Sequence, residues 1–262
     1  MRVRVLGSAP EDASRKQYLS SYLVNDSVAV DAGCLGQHRT PTEQAAIRHI
    51  FLTHSHLDHT GSLPVFVENV YGLQGECPVI YGPAHTIQSL QQDIFNDGPW
   101  PDFVRIGATG LPFMRLVEVA AEIPIEADGL WVTPVAVDHV VPTFAYVVSS
   151  PDASVIFAAD SGPTDRLWEV ARQTPHLRGV FLECSFPNER QWLADVSLHL
   201  TPNTFAQETA KLAKGVQVIA VHIKPRFREA IVSELSKLEI PGLTIAECET
   251  TYSFSGALAS GA

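Results

Sequence analysis

The chain has 262 residues, of which 45% are hydrophobic and 18% charged, so it can bury a substantial core without disulfide staples and is too apolar to be disordered. Its 18 basic and 29 acidic residues give a net charge of −11. This balance argues against a long nucleic acid as partner, because such ligands require a basic surface stripe.

Short apolar runs closed by Gly, Asp or Asn predict a strand-rich first quarter, with strands at residues 3–7, 19–24, 27–31 and 50–53. Helical spacing of apolar residues predicts a helix over 84–95, another after Thr201-Pro202 and a third after Pro225. The remaining predicted strands are 113–119, 130–137, 143–149, 155–159, 180–183, 216–221 and 243–247.

This order of elements indicates an α/β sandwich of two stacked sheets with helices outside, rather than a regular strand-helix-strand repeat. No linker or fixed-period repeat interrupts the sequence, which predicts a single domain over 1–262 with a frayed tail at 255–262. The four scattered cysteines form no CxxC pair, so we expect free, mostly buried thiols. With no signal peptide and no apolar run of about 18 residues, we expect a soluble, cytoplasmic protein without a membrane partner.

The strongest functional pattern is HSHLDH at residues 54–59, directly after the apolar strand that ends at Thr53. Three imidazoles and a carboxylate within six residues can converge on one small volume. Neutral imidazole with carboxylate is a ligand set for zinc, manganese or iron. The alternative is an exposed loop that happens to be rich in histidine, but ten histidines in the chain do not explain this spacing beside an aspartate.

The HxHxDH pattern after a strand resembles the metallo-β-lactamase superfamily, and matching blocks follow downstream in the expected order. They are Asp138-His139 before residues 142–146, Asp160 in ADSG at 159–162, and His222 at the end of a strand. The resemblance implies an αββα sandwich of two mixed sheets with helices outside. Taken singly, each block has a structural alternative, such as a strand-end histidine or a turn aspartate, so the prediction depends on their joint order.

Carried over residue by residue, the resemblance implies two divalent metal ions, zinc in the first place, with manganese and iron also compatible. The implied ligands are His54, His56 and His139 for one ion, Asp58, His59 and His222 for the second, and Asp160 as a bridge between both. Asp31 matches an aspartate that orients ligand histidines in the superfamily, and its alternative is a turn former at the end of a strand.

A narrower resemblance, to the class II 3′,5′-cyclic-nucleotide phosphodiesterases, covers nearly the whole chain and includes blocks without metal ligands. Those blocks are FN at 95–96, WPDF at 100–103, ADSGPTDRLW at 159–168, ECSFPN at 183–188, HLTP at 199–202 and HIKP at 222–225. The turn GSAP at 7–10 departs from the more glycine-rich loop of that family.

This resemblance implies an enzyme that hydrolyses 3′,5′-cyclic nucleotides, with cyclic AMP as first candidate, to nucleoside 5′-monophosphates. Two metals can share a hydroxide that attacks phosphorus in line. The implied catalytic residues are Asp58, Asp160 and His199. His199 either donates a proton to the leaving 3′ oxygen, binds phosphate, or only flanks a helix start.

The substrate contacts are predicted less directly than the metal ligands. The candidates are Asn96, Trp100, Thr201 and Lys224. The aromatic cluster of Phe95, Trp100 and Phe103 can stack on a purine, seal a core or make a homodimer contact. Arg166 and Glu183 are equally compatible with structural and functional roles.

The nearest alternative is a tRNA 3′-processing endonuclease of the same superfamily, which DSGP at 160–163 and His199 also resemble. Two features argue against this alternative. The chain is acidic, and only twenty residues separate His139 from Asp160, which is too few for an arm that grips tRNA. A metal-dependent sensing module without turnover, a lactonase and a thioester hydrolase also stay open, because HxHxDH fixes metals and not the substrate.

Overall fold

A computed structural model describes residues 1–8, 19–73 and 75–255 of the protein. Ala9 and Pro10 of the first turn, and residues 256–262 of the predicted tail, lie outside the described residues.

The first half of the described chain alternates short strands with helices. Its strands are β1 (Arg2–Val5), β2 (Tyr22–Val24), β3 (Val28–Val30), β4 (His49–Phe51), β5 (Val79–Gly82) and β6 (Arg115–Glu118). Its helices are α1 (Pro41–Gln44), α2 (Leu57–Thr60), α3 (Leu63–Val70), α4 (Ala84–Ser89), continued by a π-helical turn at Leu90–Ile94, and α5 (Phe103–Gly107).

The second half has longer strands. They are β7 (Ile125–Ala127), β8 (Leu130–Val137), β9 (Thr143–Ser149), β10 (Ser154–Phe157), β11 (Leu177–Glu183), β12 (Gln217–Val221), β13 (Leu243–Ile245) and β14 (Thr251–Ser253). The helices are α6 (Arg166–Gln173), α7 (Gln191–Ser197), α8 (Pro202–Thr209) and α9 (Arg228–Ser236).

Among the described residues the strands form two seven-stranded sheets, ordered β14-β1-β2-β3-β4-β5-β6 and β13-β12-β11-β10-β9-β8-β7. Strands β3 to β6 run parallel, as do β10 to β13, whereas the other neighbours pair antiparallel. Both sheets are therefore mixed, which confirms the predicted sandwich of two mixed sheets.

Three apolar clusters separate the layers. The first lies between the sheets and includes Phe51 of β4 and Phe181 of β11. The second packs α6, α8 and α9 on one sheet, and the third packs α3 and the π-helical turn at Leu90–Ile94 on the other. Strand β10 is buried at every position, as expected of a strand covered on both faces.

Each predicted strand overlaps an observed one, but several elements were not predicted, among them α3, α6, β5 and β7. The sequence of α3, LPVFVENV, is rich in valine and so favours a strand on propensity alone. It is helical because Leu63, Phe66, Val67 and Val70 fall on one helical face and bury together.

Two further expectations concern the cysteines and the membrane. The four cysteines are free, and Cys77 alone among them is not buried. Within the described ranges, no helix combines the length and apolarity needed to cross a membrane.

Candidate metal centre

The predicted ligands lie where strands of both sheets end. Strand β4 leads into residues 53–59, β8 into His139, β10 into Asp160 and β12 into His222. In each sheet the carboxyl ends of parallel strands meet at a common edge, which is where α/β folds place their ligands. The two edges face each other across the sandwich, so ligands from distant parts of the sequence meet there.

The structure brings the seven predicted ligands together as two overlapping groups. The first contains His54, His56, His139 and Asp160, and the second contains Asp58, His59, Asp160 and His222. Within each group, one donor atom from every residue lies within 4.8 Å of the others. Asp160 is shared, which is the geometry expected of a carboxylate between two cations.

Close approaches between acid and imidazole hold the second group together. His59 Nε2 lies 3.3 Å from Asp160 Oδ2, and His222 Nε2 lies 3.2 Å from Asp58 Oδ2. In the first group, His54 Nε2 is 3.9 Å from Asp160 Oδ2. These separations leave the donor atoms clustered around small volumes that a divalent cation can fill.

A buried carboxylate, Asp31, orders the loop that carries the histidines. Its oxygens accept hydrogen bonds from the backbone N–H of Thr53 at 2.8 Å, from the Thr53 hydroxyl at 3.0 Å and from His59 Nδ1 at 2.7 Å. Because the Thr53 hydroxyl donates its proton to Asp31, its oxygen accepts from His54 Nδ1, 2.9 Å away. Both histidines therefore direct Nε2 to the centre.

The remaining histidines are oriented in a similar way. His139 Nδ1 donates to the carbonyl of Leu198 at 3.1 Å, and His222 Nδ1 lies 2.9 Å from the hydroxyl of Ser185. A ligand histidine commonly holds its second nitrogen in such a bond, which fixes the ring and its tautomer.

The chain also approaches itself too closely at Gly33 to allow a side chain. A Cβ at Gly33 would lie 2.1 Å from the carbonyl oxygen of Asp58. The neighbouring backbone is tied by hydrogen bonds from Ser20 N to Asp58 O and from Ala32 N to His59 O, at 2.8 and 2.7 Å. These contacts fix the position of the backbone at the two candidate ligands Asp58 and His59.

The donor set fits a divalent cation on a direct structural criterion. The Nε2 atoms of His54, His59 and His139 are buried and have no hydrogen-bond partner among the described residues. Buried nitrogen atoms without a partner are rare in folded proteins and call for an ion or water. Imidazole nitrogens with aspartate oxygens are the ligand types that zinc, manganese and iron accept.

Charge distribution in the centre follows from burial and from the paired groups. Burial opposes ionisation of Asp160, but His222 and His59 outweigh it and hold the pKa of Asp160 well below its usual range. Burial likewise opposes a charged His59, but Asp160 and Asp31 raise the pKa of His59 well above its usual range. Burial lowers the pKa of His54 well below its usual range, which favours a neutral ring.

Three strand ends at the centre adopt left-handed backbone conformations that non-glycine residues seldom occupy. The φ angles are 61° at Asp31, 61° at Ala159 and 51° at His222. Each such residue costs of order 1–3 kcal/mol, and clusters of them are typical of functional sites. At Asp31 and His222 the sharp turn directs the side chain of the residue itself toward the cleft. At Ala159 it directs the side chain of the next residue, Asp160.

His199 lies beside the ligand groups and is paired with Glu183. Its Nδ1 is 2.6 Å from Glu183 Oε1, and Glu183 is 1% exposed. The His199 ring centroid lies 5.0 Å from that of His139 and 5.8 Å from that of His222. Burial disfavours the imidazolium, but the Glu183 carboxylate raises the pKa of His199 above its ordinary value.

The four candidate substrate contacts lie in different environments. Asn96 uses its side chain within its own turn, bonding Gln92 O and Gly98 N. Thr201 is fully buried at the start of α8, and its hydroxyl donates to Gln191 at 2.6 Å. Neither belongs to the donor groups described above.

The other two candidates differ from these. Trp100 has a buried indole nitrogen without a hydrogen-bond partner among the described residues. Lys224 lies over the ring of Phe186, 5.6 Å from its centroid, and its positive charge acts on His199. Phe95 and Phe103 are buried in the cluster that packs helices on the first sheet, so these two rings seal a core. A homodimer contact through this segment stays a prediction.

Sequence reasoning did not assign roles to several residues that shape the centre. Thr53 contacts the adjacent His54, whereas Ser185 and the Leu198 carbonyl reach His222 and His139 only through the fold. Glu183 was left undecided, and its signal is a carboxylate that directly follows the apolar run Val180–Leu182 at the end of β11. Arg166 forms ion pairs with Glu122 and Glu169 and is not a member of the donor groups.

Comparison with known proteins agrees with this architecture. A family model described as the β-lactamase superfamily domain matches residues 24–223. The crystal structure of unliganded yeast PDE1 superposes with a TM-score of 0.75 and 20% identity, covering 95% of this chain and 98% of that one. At this identity the likeness shows the fold alone.

Three curated relatives have informative names. "Probable 3′,5′-cyclic-nucleotide phosphodiesterase" from Yersinia pestis is 29% identical over 73% of this chain and 63% of its own length. "3′,5′-cyclic-nucleotide phosphodiesterase 1" from Saccharomyces cerevisiae is 27% identical over 72% of this chain and 60% of its own length. The chain thus matches less than two thirds of either relative. "Ribonuclease Z" from Bacillus subtilis is 25% identical over 79% of this chain and 81% of its own length.

Asp160→Asn should remove most of the bound metal, because both donor groups lose the same charged oxygen. The readout is metal content by plasma mass spectrometry after purification in zinc- or manganese-containing medium, with circular dichroism as a folding check. Asp138→Asn, at an exposed position beside His139, is the matched control and should keep the wild-type content. Wild-type metal content in Asp160→Asn would refute the shared carboxylate.

Asp31→Asn should weaken metal affinity about 10–100-fold, the usual effect of losing a group that orients ligand histidines. An amide cannot replace a carboxylate that accepts from both Thr53 and His59. Competition with a chromogenic chelator measures the affinity of each variant. A metal affinity unchanged from wild type would mean that Asp31 only forms the turn at the end of its strand and does not orient the ligand histidines.

Proposed function

Because this chain belongs to the β-lactamase superfamily, we propose that it is a metal-dependent phosphodiesterase that hydrolyses 3′,5′-cyclic nucleotides, cyclic AMP first, to nucleoside 5′-monophosphates. The observation that carries the proposal is the pair of donor groups that share Asp160, with the His199–Glu183 pair beside them. Two curated relatives named as cyclic-nucleotide phosphodiesterases support this choice of substrate.

The seven ligand side chains would hold two divalent ions, as Asp160 reaches both groups. Bound divalent ions act as Lewis acids on a phosphoryl oxygen and lower the pKa of the attacking water. The chain's own contribution is rigid placement, since Asp31, Thr53, Ser185 and the Leu198 carbonyl fix the ligand rings. A cyclic phosphate would bind with its phosphorus near Asp160, the carboxylate that both donor groups share.

His199 would act on the leaving group. Its Nδ1 proton is held by Glu183, which leaves Nε2 as the ring nitrogen that exchanges a proton with substrate. The water oxygen would bond to phosphorus and release one proton to solvent, the bond from phosphorus to the 3′ oxygen would break, and the His199 Nε2 proton would pass to that oxygen. His199 would then take up a proton from solvent for the next turnover. The raised pKa of His199 supports this role, because it keeps the ring protonated closer to neutral pH.

The alternative function is that of a tRNA 3′-processing endonuclease. The similarity to Ribonuclease Z favours it, but two features of this chain argue against it. The net charge of −11 disfavours a polyanion as long as tRNA. The interval between His139 and Asp160 is filled by β9, β10 and a short turn, so it holds no projecting arm. A small cyclic nucleotide is therefore the proposed partner.

Zinc- or manganese-loaded protein should convert a cyclic nucleotide to its 5′-monophosphate, and a chelator should abolish the conversion. Cyclic AMP, cyclic GMP and an unprocessed tRNA are incubated separately and the products are resolved by chromatography. Asp160→Asn should be inactive and Asp138→Asn should retain activity. Cleaved tRNA beside intact cyclic nucleotides would select the endonuclease, and bound but unconsumed cyclic nucleotide would indicate a sensing module.

His199→Ala should lower kcat by about a hundredfold or more, the scale expected for a lost general acid, while metal content is unchanged. Steady-state kinetics and metal analysis on the same preparation test both halves of this statement. His85→Ala, at an exposed helix position, is the control and should leave both quantities unaltered. If His199→Ala loses metal, His199 is a ligand and not the proton donor.

A further inference from the structure

A second polar cavity lies at the opposite edge of the second sheet from the metal centre. It has a volume of about 310 Å³ and is lined by the end of α6, the start of β11 and the loop before β12. The metal centre adjoins the carboxyl ends of the same strands, at Glu183 and His222. Arg178 and Glu183 mark the two ends of β11, which lie about 16 Å apart at roughly 3.3 Å per residue.

The lining of this cavity is basic although the protein is acidic overall. The ionisable side chains that line it are Arg172, His176, Arg178 and Lys214, and no aspartate or glutamate is among the lining residues. In the part of the chain that the structure describes, none of the four forms an ion pair with a carboxylate. Elsewhere, Arg48 pairs with Asp128 and Arg166 with Glu122. The cavity therefore concentrates uncompensated positive charge in a chain of net charge −11.

Arg178 occupies an irregular position in the sheet. Leu177 pairs with Ser154 and Gly179 pairs with Val155, so Arg178 is the extra residue of a β-bulge. The ladder on the other side of β11 begins only at Gly179. Bulges turn a side chain away from its regular direction and are frequent beside binding sites.

The Arg178 side chain is half-buried, and one of its hydrogen-bond donors lacks an acceptor. Its Nε atom is buried and has no hydrogen-bond partner among the described residues. A buried donor without an acceptor is costly. A small shift of this side chain toward an anion in the adjoining cavity would therefore be favourable. Arginine forks match phosphate oxygens in spacing and charge.

The surroundings of the cavity suit a small organic anion. Residues 212–216 line this cavity and also a neighbouring one of about 670 Å³. The neighbouring cavity is mainly apolar, with Val218, Leu238 and Ile240 in its wall. Ligand pockets for small molecules span roughly 300–1,000 Å³, so both volumes are adequate.

We propose that this cavity is a binding site for a small phosphate-bearing anion, with the phosphate held by Arg172, Arg178 and Lys214. The ligand is either inorganic phosphate or a phosphomonoester whose organic part extends along residues 212–216. The proposal is independent of the phosphodiesterase activity, because the site does not share a residue with the metal centre.

Isothermal titration calorimetry of the full chain tests the proposal, with inorganic phosphate and AMP as probes, each with and without EDTA. We expect a saturable site that persists in EDTA, since it needs no metal. Arg178→Gln should weaken it at least tenfold. Arg115→Gln is the matched control, because Arg115 is an exposed arginine of the other sheet, and it should bind as wild type does. Tighter binding of AMP would identify a phosphomonoester, and equal binding would identify free phosphate.

Lys214→Gln gives an independent check, because Lys214 is exposed and its replacement does not threaten folding. It should also weaken the EDTA-resistant site. The proposal is overturned if no saturable binding survives EDTA, or if Arg178→Gln and Lys214→Gln both bind as wild type does. Neither result bears on cyclic-nucleotide hydrolysis, which is measured with metal present and by product formation.

Discussion

The buried carboxylate of Asp31 is the interaction on which the ordering of the metal centre depends. A carboxylate accepts hydrogen bonds and donates none, so every group that reaches Asp31 must bring a proton. Thr53 brings two, from its backbone and its hydroxyl, and His59 brings one from Nδ1. Through the hydroxyl of Thr53 the same constraint passes to His54. One buried charge therefore sets the tautomers of two ligand histidines that belong to different donor groups.

This arrangement requires backbone that the sheets would not adopt on their own. Asp31, Ala159 and His222 all follow strands and all have positive φ, so the chain turns sharply where the ligands begin. Such conformations persist only when the surrounding structure over-determines them. In this protein the three apolar clusters hold the turns in these conformations, because the strands that precede the turns are buried almost throughout. The cores thus supply the rigidity that a preorganised ligand set needs.

The sequence was sufficient for the candidate ligands and for Asp31, but not for the other groups that orient them. HSHLDH is contained within six residues after a strand, so local pattern and chemistry together identify it. The proposed bridge Asp160 and the ligand His222 required the resemblance, because only the fold brings their strand ends together. Ser185 and the Leu198 carbonyl carry no local signal at all, since a serine or a backbone oxygen has the same appearance anywhere in a sequence. Arg178 was missed for a related reason, because a bulge depends on the register of two strands.

The placement of His199 explains why the centre has three acidic–imidazole groups but only two proposed cation sites. Glu183, His199 and His222 could also converge on an ion. However, His222 already belongs to the group that contains Asp160, and Glu183 Oε1 is occupied by His199 Nδ1 at 2.6 Å. Through this bond Glu183 stabilises the imidazolium form of His199, and a protonated His199 has no lone pair left on Nε2 to give to a cation. In the proposed function, the third group therefore serves proton transfer beside the two candidate cation sites.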